Sequence, residues 1–90
     1  MFVLAQSGAS AVDLTGLDIR VNTHEDENGQ IVTDSLSVIG YGFGYEVLLG
    51  QYALEEQARA IFNDILVKMK NGRDFYDVQE EERKFVDNKG

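Results

Sequence analysis

Polar and apolar residues alternate through the first half of the chain, which is the pattern of strands with one buried face. The alternation is strictest over residues 17–22, where every second side chain is apolar. Two shorter β-prone runs, residues 2–6 and 10–14, are separated by a short connection that includes a glycine. Because glycine can adopt positive φ in tight turns, these two runs predict a hairpin.

The middle of the chain predicts a second, longer hairpin. Residues 24–29 are polar and end in Asn-Gly, a sequence typical of turns, so we expect the chain to reverse there into a strand over residues 30–33. Asp34 and Ser35 then interrupt the apolar pattern, which predicts a bulge or a bend. The last predicted strand covers residues 45–49.

After Gly50 the spacing of apolar residues changes from two to three and four, which predicts an amphipathic helix of about four turns. Two glutamates begin this segment, two lysines end it, and Asn71-Gly72 follows as a stop signal. We expect the helix to bury an apolar stripe against the strands: Ala58, Ile61, Phe62, Ile65 and Met69.

The order of these elements predicts an α+β fold, an antiparallel sheet of about five short strands packed against one amphipathic helix. We assign residues 1–72 to a single α+β domain, since a chain of this length builds one core. Residues 73–90 mix aromatic and charged side chains, and we expect a charged C-terminal arm or a short second helix there.

The charge of the chain is strongly acidic, with a formal net charge of −8. Residues 1–50 hold seven acidic residues and one basic residue, a net charge of −6, whereas residues 51–90 hold nine and seven, a net charge of −2. This balance argues against direct contact with nucleic-acid phosphates or with anionic membranes. Two interpretations stay open: the acidic residues keep a small protein in solution, or they form a face that binds a basic partner.

Cysteine is absent, so the sequence excludes disulfides and thiolate zinc sites, and stability has to come from apolar burial. The first six residues contain no basic segment, and their apolar run is too short for a signal sequence or a membrane span. We therefore expect a cytoplasmic protein.

The segment 49–62, a Leu-Gly-x-Tyr turn followed by Glu-Glu and a small residue, resembles a recurrent segment in small proteins of Firmicutes and their phages. The hairpin from residues 6–8 to residues 12–14 resembles the amino-terminal part of those proteins. The resemblance implies a strand meander that leads into a helix, and a bacterial or phage cytoplasmic origin. It implies no activity and no site residues. Where those proteins have a polar N-cap, this chain has Leu54, which leaves the capping of the helix open.

The run from Gly40 to Tyr45 alternates glycine with aromatic residues. It is similar to the aromatic-glycine strand of RNA-recognition sheets, but Ile39 replaces the leading basic residue and the acidic surroundings would repel phosphates. It also lacks the lysine and hydroxyl residues of a nucleotide-binding loop. We expect Phe43 and Tyr45 to pack in the core and Tyr41 to be more exposed. The alternative is an aromatic patch that binds a partner or stacks a ligand ring.

The sequence contains no catalytic constellation that we can assign. His24 is the one histidine of the chain, so a zinc motif with two histidines cannot form. The acidic turn also fails as a calcium loop, because Ser35 stands where a bidentate glutamate is needed. We expect the adjacent carboxylates at residues 55–56 and 80–82 to be exposed and assign them no catalytic role. We predict no metal and no cofactor.

The preferred hypothesis is a small non-enzymatic interaction protein, such as a phage or prophage accessory factor that modulates or inhibits a host protein with a basic surface. Two alternatives stay open. The first is a small-molecule or nucleotide binder that uses residues 40–45, with a site that an oligomer interface can complete. The second is a structural homo-oligomer that uses an exposed strand edge. The candidate binding residues lie in the acidic turn and in the glycine-aromatic run: Glu25, Asp26, Glu27, Tyr41, Phe43 and Tyr45.

Overall fold

The structure, a computed structural model, describes residues 1–87 of the chain. The predicted α+β class is confirmed. The described residues form six strands and two helices in this order: β1 (Phe2–Leu4), β2 (Ala11–Asp13), β3 (Gly16–Glu25), β4 (Ile31–Gly42), β5 (Tyr45–Tyr52), α1 (Glu55–Lys70), β6 (Phe75–Asp77) and α2 (Val78–Asp87).

The strands form two separate three-stranded sheets, so the prediction of a single five-stranded sheet is wrong. The large sheet has the order β3-β4-β5 and is antiparallel throughout. The small sheet has the order β2-β1-β6, with β1 antiparallel to β2 and parallel to β6. The physical reason is the sixth strand. A hairpin of three-residue strands is marginal alone, and β6 supplies the third strand that makes it a sheet of its own.

Both predicted hairpins are present, and the longer one carries the predicted bulge. Asn22 pairs with Ser35 and Thr23 pairs with Thr33, so Asp34 is an extra residue in β4. A bulge bends the strand and increases its local twist. It therefore divides the β3–β4 ribbon into a part that covers the core and a part that extends beyond it.

One apolar cluster joins the two sheets and α1. Gly40 on the central strand β4 faces this cluster, where a Cβ would lie 2.9 Å from a side-chain carbon of Leu14 and 2.8 Å from one of Leu49. Glycine is therefore required for the end of the small sheet to pack closely on β4. The buried members of the cluster come from both sheets and both helices: Val3, Ala5, Val12, Leu14, Leu36, Val38, Leu49, Tyr52, Ala58, Ile61, Ile65, Tyr76 and Val78.

The predicted helix is confirmed as α1. Three residues of its apolar stripe, Ala58, Ile61 and Ile65, are buried in the core. Phe62 and Met69, which we also expected to be buried, are half-buried. The stripe is thus narrower than the sequence period indicates, because α1 lies on the sheet with one edge open to solvent.

The two ends of α1 differ in how they are capped. At its start, Leu54 provides no side-chain cap, and Oε1 of Gln57 accepts a hydrogen bond from the Leu54 N–H (3.4 Å), which is one half of a capping box. At its end, Gly72 has φ +79° and its N–H donates to the Met69 carbonyl (3.1 Å). A left-handed glycine of this kind ends a helix and turns the chain, here towards β6.

The chain after α1 contributes to the core. β6 extends the small sheet, and Tyr76 at its centre is fully buried. Asp77 then caps the start of α2, because its Oδ1 accepts a hydrogen bond from the Gln79 N–H (3.0 Å). Of the two alternatives for this part of the chain, the structure contains the short second helix. The domain boundary at residue 72 remains a prediction, and residues 88–90 of the predicted arm lie outside the described residues.

Two buried tyrosines connect the helices to the sheets. The Tyr76 O–H donates to Oδ2 of Asp64 on α1 (2.6 Å), and the Tyr52 O–H donates to Oε1 of Glu82 on α2 (2.5 Å). Burial, and then the neighbouring carboxylate, raises the pKa of each phenol well above its usual range. Both hydroxyl groups therefore stay protonated and act as hydrogen-bond donors.

Glu81 is buried, which corrects the expectation that residues 80–82 are all exposed. It follows Val78 by three residues and so lies on the buried face of α2. Its carboxylate is 3.1 Å from Nζ of Lys84, 3.7 Å from Nζ of Lys68 and 3.7 Å from Nη2 of Arg73. Cations from α1, from the turn after it and from α2 thus offset the cost of removing this charge from water.

Ile65→Asp should unfold the domain. The substitution places an unpaired charge in the core, and we expect a loss of about 4 kcal/mol or more, which is comparable to the whole stability of a small domain. Asn63→Asp, at an exposed position of the same helix, should change stability by about 0.5 kcal/mol or less. Thermal unfolding followed by circular dichroism measures both variants, and equal midpoints would contradict the packing of α1.

The two buried tyrosines should make stability decline in alkaline solution. Because the folded-state pKa of each phenol is raised, the folded protein keeps protons that the unfolded chain releases above about pH 10. The contribution is therefore fully present below about pH 10 and is lost as the pH rises further. Denaturant unfolding should show a shallower alkaline decline for Tyr52→Phe/Tyr76→Phe than for wild type. Tyr45→Phe, at an exposed position, should keep the wild-type slope, and three identical slopes would refute this assignment.

Candidate functional site

The end of the β3–β4 ribbon, residues 23–34, is named the acidic hairpin. All of its residues are exposed apart from Asp26, which is half-buried, and none of them belongs to the core cluster. The exposure begins at the bulge: β4 is buried from Leu36 to Gly40, and the residues before Asp34 lie beyond that buried stretch. The acidic hairpin therefore projects from the body of the protein.

The turn of the acidic hairpin is held by Asp26. Its N–H donates to the Gln30 carbonyl (2.8 Å), and its own carbonyl accepts from the Gly29 N–H (3.0 Å). Oδ1 of Asp26 also accepts hydrogen bonds from the N–H groups of Asn28 and Gln30, both at 2.9 Å. Gly29 has φ +78°, as expected for the last residue of a three-residue hairpin loop. Asp26 is thus a residue that fixes the shape of the turn.

Glu25 and Glu27 lie on either side of Asp26 and are exposed. Together with Asp34 they bring the acidic hairpin to four carboxylates. The sequence has no lysine or arginine between Arg20 and Arg59, whereas five of its eight basic residues lie within residues 68–84. The hairpin therefore presents a concentrated negative charge, separated along the sequence from most of the basic residues.

The bulge also brings His24 against Asp34. Nδ1 of His24 lies 2.6 Å from Oδ1 of Asp34, and each side chain is about half exposed, 53% and 49% respectively. This is hydrogen-bond distance, so the ring fixes the orientation of the Asp34 carboxylate. The extra residue of the bulge is thus the one that gains a partner, and the pair lies at the base of the hairpin.

The glycine-aromatic run forms the turn between β4 and β5, at the opposite end of the large sheet. Phe43 is 87% exposed and Tyr45 is 51% exposed, so the expectation that both pack in the core is wrong. Tyr41, which we expected to be more exposed than these two rings, is half-buried, so that expectation is wrong as well. The alternation that led to the expectation stops at Gly42, where β4 ends, and the next residue belongs to a turn rather than to a strand.

The three rings do not form one platform. Tyr41 is paired with Glu46, whereas the ring of Tyr45 lies across Gly42, which is on the other face of the sheet. At about 3.3 Å per residue, the 12 residues of β4 also separate this turn from the turn at the tip of the acidic hairpin by about 36 Å. The six predicted binding residues therefore occupy two separate places, one at each end of β4.

Sequence reasoning did not single out two charged residues of β3, Asp18 and Arg20. Asp18 and Arg20 lie on the face of the large sheet that points away from the core, and Nη2 of Arg20 forms a salt bridge with Oε2 of Glu46 (3.1 Å). The hydrogen bond that Arg20 donates to Glu46, and then the negative charge of Glu46, raises the pKa of Arg20. The strict alternation over residues 17–22 was the available signal, because it already placed both charged residues on one face.

Comparison with known proteins leaves the function to be argued from this geometry. A scan against protein-family models, a search of the curated proteins and a search of the solved structures gave no match. Within residues 1–87, neither helix is long and apolar enough to cross a membrane. In the same part of the chain, no three histidine or carboxylate side chains are grouped so that they could hold a metal ion.

Phe43→Ala should be almost neutral for folding. The ring is in an exposed turn, so we expect a change of about 0.5 kcal/mol or less in the free energy of unfolding. Leu49→Ala, at a fully buried position of the adjoining strand, should cost about 2–5 kcal/mol. Urea unfolding compares the two variants. A loss of several kcal/mol in the free energy of unfolding of Phe43→Ala would contradict the exposed position of this ring.

Proposed function

We propose that this protein is a non-enzymatic interaction protein that binds a partner protein with a basic surface through the acidic hairpin. The observation that carries the proposal is the coincidence of charge and exposure: four carboxylates lie on a projecting ribbon that contains no lysine or arginine. Opposite potentials on two surfaces accelerate their encounter and fix their relative orientation.

The shape of the acidic hairpin supports binding as well as solubility. Acidic residues that only keep a protein in solution need no fixed arrangement, but here Asp26 makes three hydrogen bonds within the turn through its N–H and Oδ1. A turn that is ordered before binding loses less conformational entropy when a partner is bound. Glu25 and Glu27 are therefore presented on a defined backbone.

The biological role that we propose is that of a phage or prophage accessory factor, acting in the cytoplasm, which modulates or inhibits a host protein by covering its basic surface. The resemblance of residues 49–62 to small proteins of Firmicutes and their phages supports this origin. A groove that binds nucleic acid is the type of basic surface that a projecting acidic ribbon fits, because the lysine and arginine residues of such a groove bind negatively charged phosphates.

The geometry gives less support to the alternative of a ligand site that stacks a ring in the glycine-aromatic run. Such a site needs aromatic faces that converge, and Tyr41 and Tyr45 lie on opposite faces of the sheet. The exposed Phe43 is available instead as a single apolar contact, at the end of the sheet away from the acidic hairpin.

The test replaces Glu25→Gln/Glu27→Gln and keeps Asp26, so that the turn stays intact. Wild-type protein captures partners from a lysate of a Firmicutes host, and the captured protein is purified for stopped-flow measurements. The association rate constant should fall roughly ten-fold in the double variant, and rising salt should slow wild type more than the variant.

The matched control is Glu56→Gln/Glu80→Gln, which makes the same change in net charge at two exposed positions on the helices. It should bind at nearly the wild-type rate. If the two double variants slow association equally, net charge and not the acidic hairpin determines the association rate. If neither salt nor the hairpin substitutions change that rate, the proposal is rejected.

A further inference from the structure

The edge of the large sheet at β3 is long and open. β3 has ten residues, and within residues 1–87 it pairs with β4 alone. The other edge of this sheet, β5, is partly occupied, because the Gln6 N–H donates to the Leu49 carbonyl (2.7 Å) and Oε1 of Gln6 accepts from the Gln51 N–H (2.9 Å). A strand of this length with unpaired backbone groups is a template for another strand.

The backbone of β3 shows which groups point outward. The Ile19 N–H donates to Oδ1 of the neighbouring Asp18 (2.8 Å), so this N–H lies on the open side of the strand. Backbone groups of alternate residues in an antiparallel strand point to the same side, so Leu17 and Val21 share the orientation of Ile19. The open edge thus offers the N–H and C=O groups of three alternate residues.

The charges that flank Ile19 select the strand that fits this edge. Asp18 and Arg20 lie on the same face, one residue to each side of Ile19. If two copies of β3 pair in antiparallel fashion about Ile19, Asp18 of each copy lies directly opposite Arg20 of the other. Pairing centred on either charged residue would instead oppose two aspartates or two arginines, which destabilises a ladder.

We propose that β3 pairs with β3 of a second copy, centred on Ile19, so that two large sheets form one six-stranded antiparallel sheet. The second copy then supplies a hydrogen-bond acceptor for the Ile19 N–H, and Asp18 is released to contact Arg20 across the ladder. Arg20 has donors enough for both Glu46 and this second carboxylate, since a guanidinium carries five N–H groups.

Two further features fit this arrangement. In this register Leu17 of one copy lies opposite Val21 of the other, and Val21 is an apolar residue that is 52% exposed in the single chain. The acidic hairpins begin after the paired segment and, because the strands run in opposite directions, they leave the six-stranded sheet at opposite ends. Their charges therefore do not oppose association, and the proposal stands apart from the function of the hairpin.

The test uses two single charge reversals of the full chain, Asp18→Lys and Arg20→Glu, and sedimentation velocity over a range of concentrations. Wild type should show a reversible monomer–dimer equilibrium. Each reversal places like charges opposite each other at two symmetric sites, so the dimer dissociation constant should rise roughly ten- to a hundred-fold. An equimolar mixture of the two variants should regain the dimer, because every pair across the ladder is then opposite in charge.

The register is checked with cysteine in this cysteine-free chain. In the proposed pairing the Cα atoms of Asp18 and of Arg20 in the second copy are about 4.5 Å apart, within reach of a disulfide. Asp18→Cys mixed with Arg20→Cys should therefore form a disulfide-linked heterodimer under mild oxidation, and either variant alone should crosslink much less. A wild type that stays monomeric at all concentrations, or a mixture of the charge variants that does not associate, would overturn the proposal.

Discussion

The packing of two different layers on one face of the large sheet is the constraint on which the rest of the structure depends. The small sheet and α1 both bury their apolar side chains against β4, and no disulfide or metal–thiolate bond assists them. Leu14 can approach β4 because Gly40 has no side chain at that point. The large sheet is therefore committed to the core on one side, and its other face, its β3 edge and its two ends remain for contacts with other molecules.

The second helix adds polar contacts to this apolar arrangement. Glu81 has cations from three segments around it, and Glu82 accepts hydrogen bonds from Tyr52 and from Gln6. Each of these groups would be costly to bury alone, and each is satisfied only when α2 lies in its observed position. Polar groups in this fold thus specify where α2 lies, whereas apolar burial supplies the drive to fold.

The long hairpin and the central helix were predictable because local signals and packing agree there. An Asn-Gly turn, an interruption at Asp34 and a regular helical period each point to the element that forms. The division into two sheets was not predictable in this way, because β6 has three residues and gains its partner from the other end of the chain. Strands this short carry no period of their own, and only the tertiary contact defines them.

The candidate sites show the same distinction. The charge of residues 25–27 is a property of composition, so the acidic hairpin could be proposed from the sequence, although its projection depends on where the core ends. The burial of the rings at residues 41–45 was predicted wrongly, because it depends on the residue at which β4 ends and the turn begins. A shift of one residue moves each following side chain to the other face of the sheet. The charges that flank Ile19 can be read from the sequence, but they indicate a pairing register only once β3 is known to be an edge strand.

The parallel pairing of β1 with β6 also has a consequence for synthesis on the ribosome. β1 leaves the ribosome first, yet the small sheet is incomplete until residues 75–77 have followed, because those residues form its third strand. Contacts between segments so far apart in sequence carry a large loop-closure entropy and slow folding. A chain whose translation stopped before β6 would lack Tyr76 at the centre of the core. Proteases that cleave unfolded chains would then degrade this incomplete chain and leave the folded protein intact.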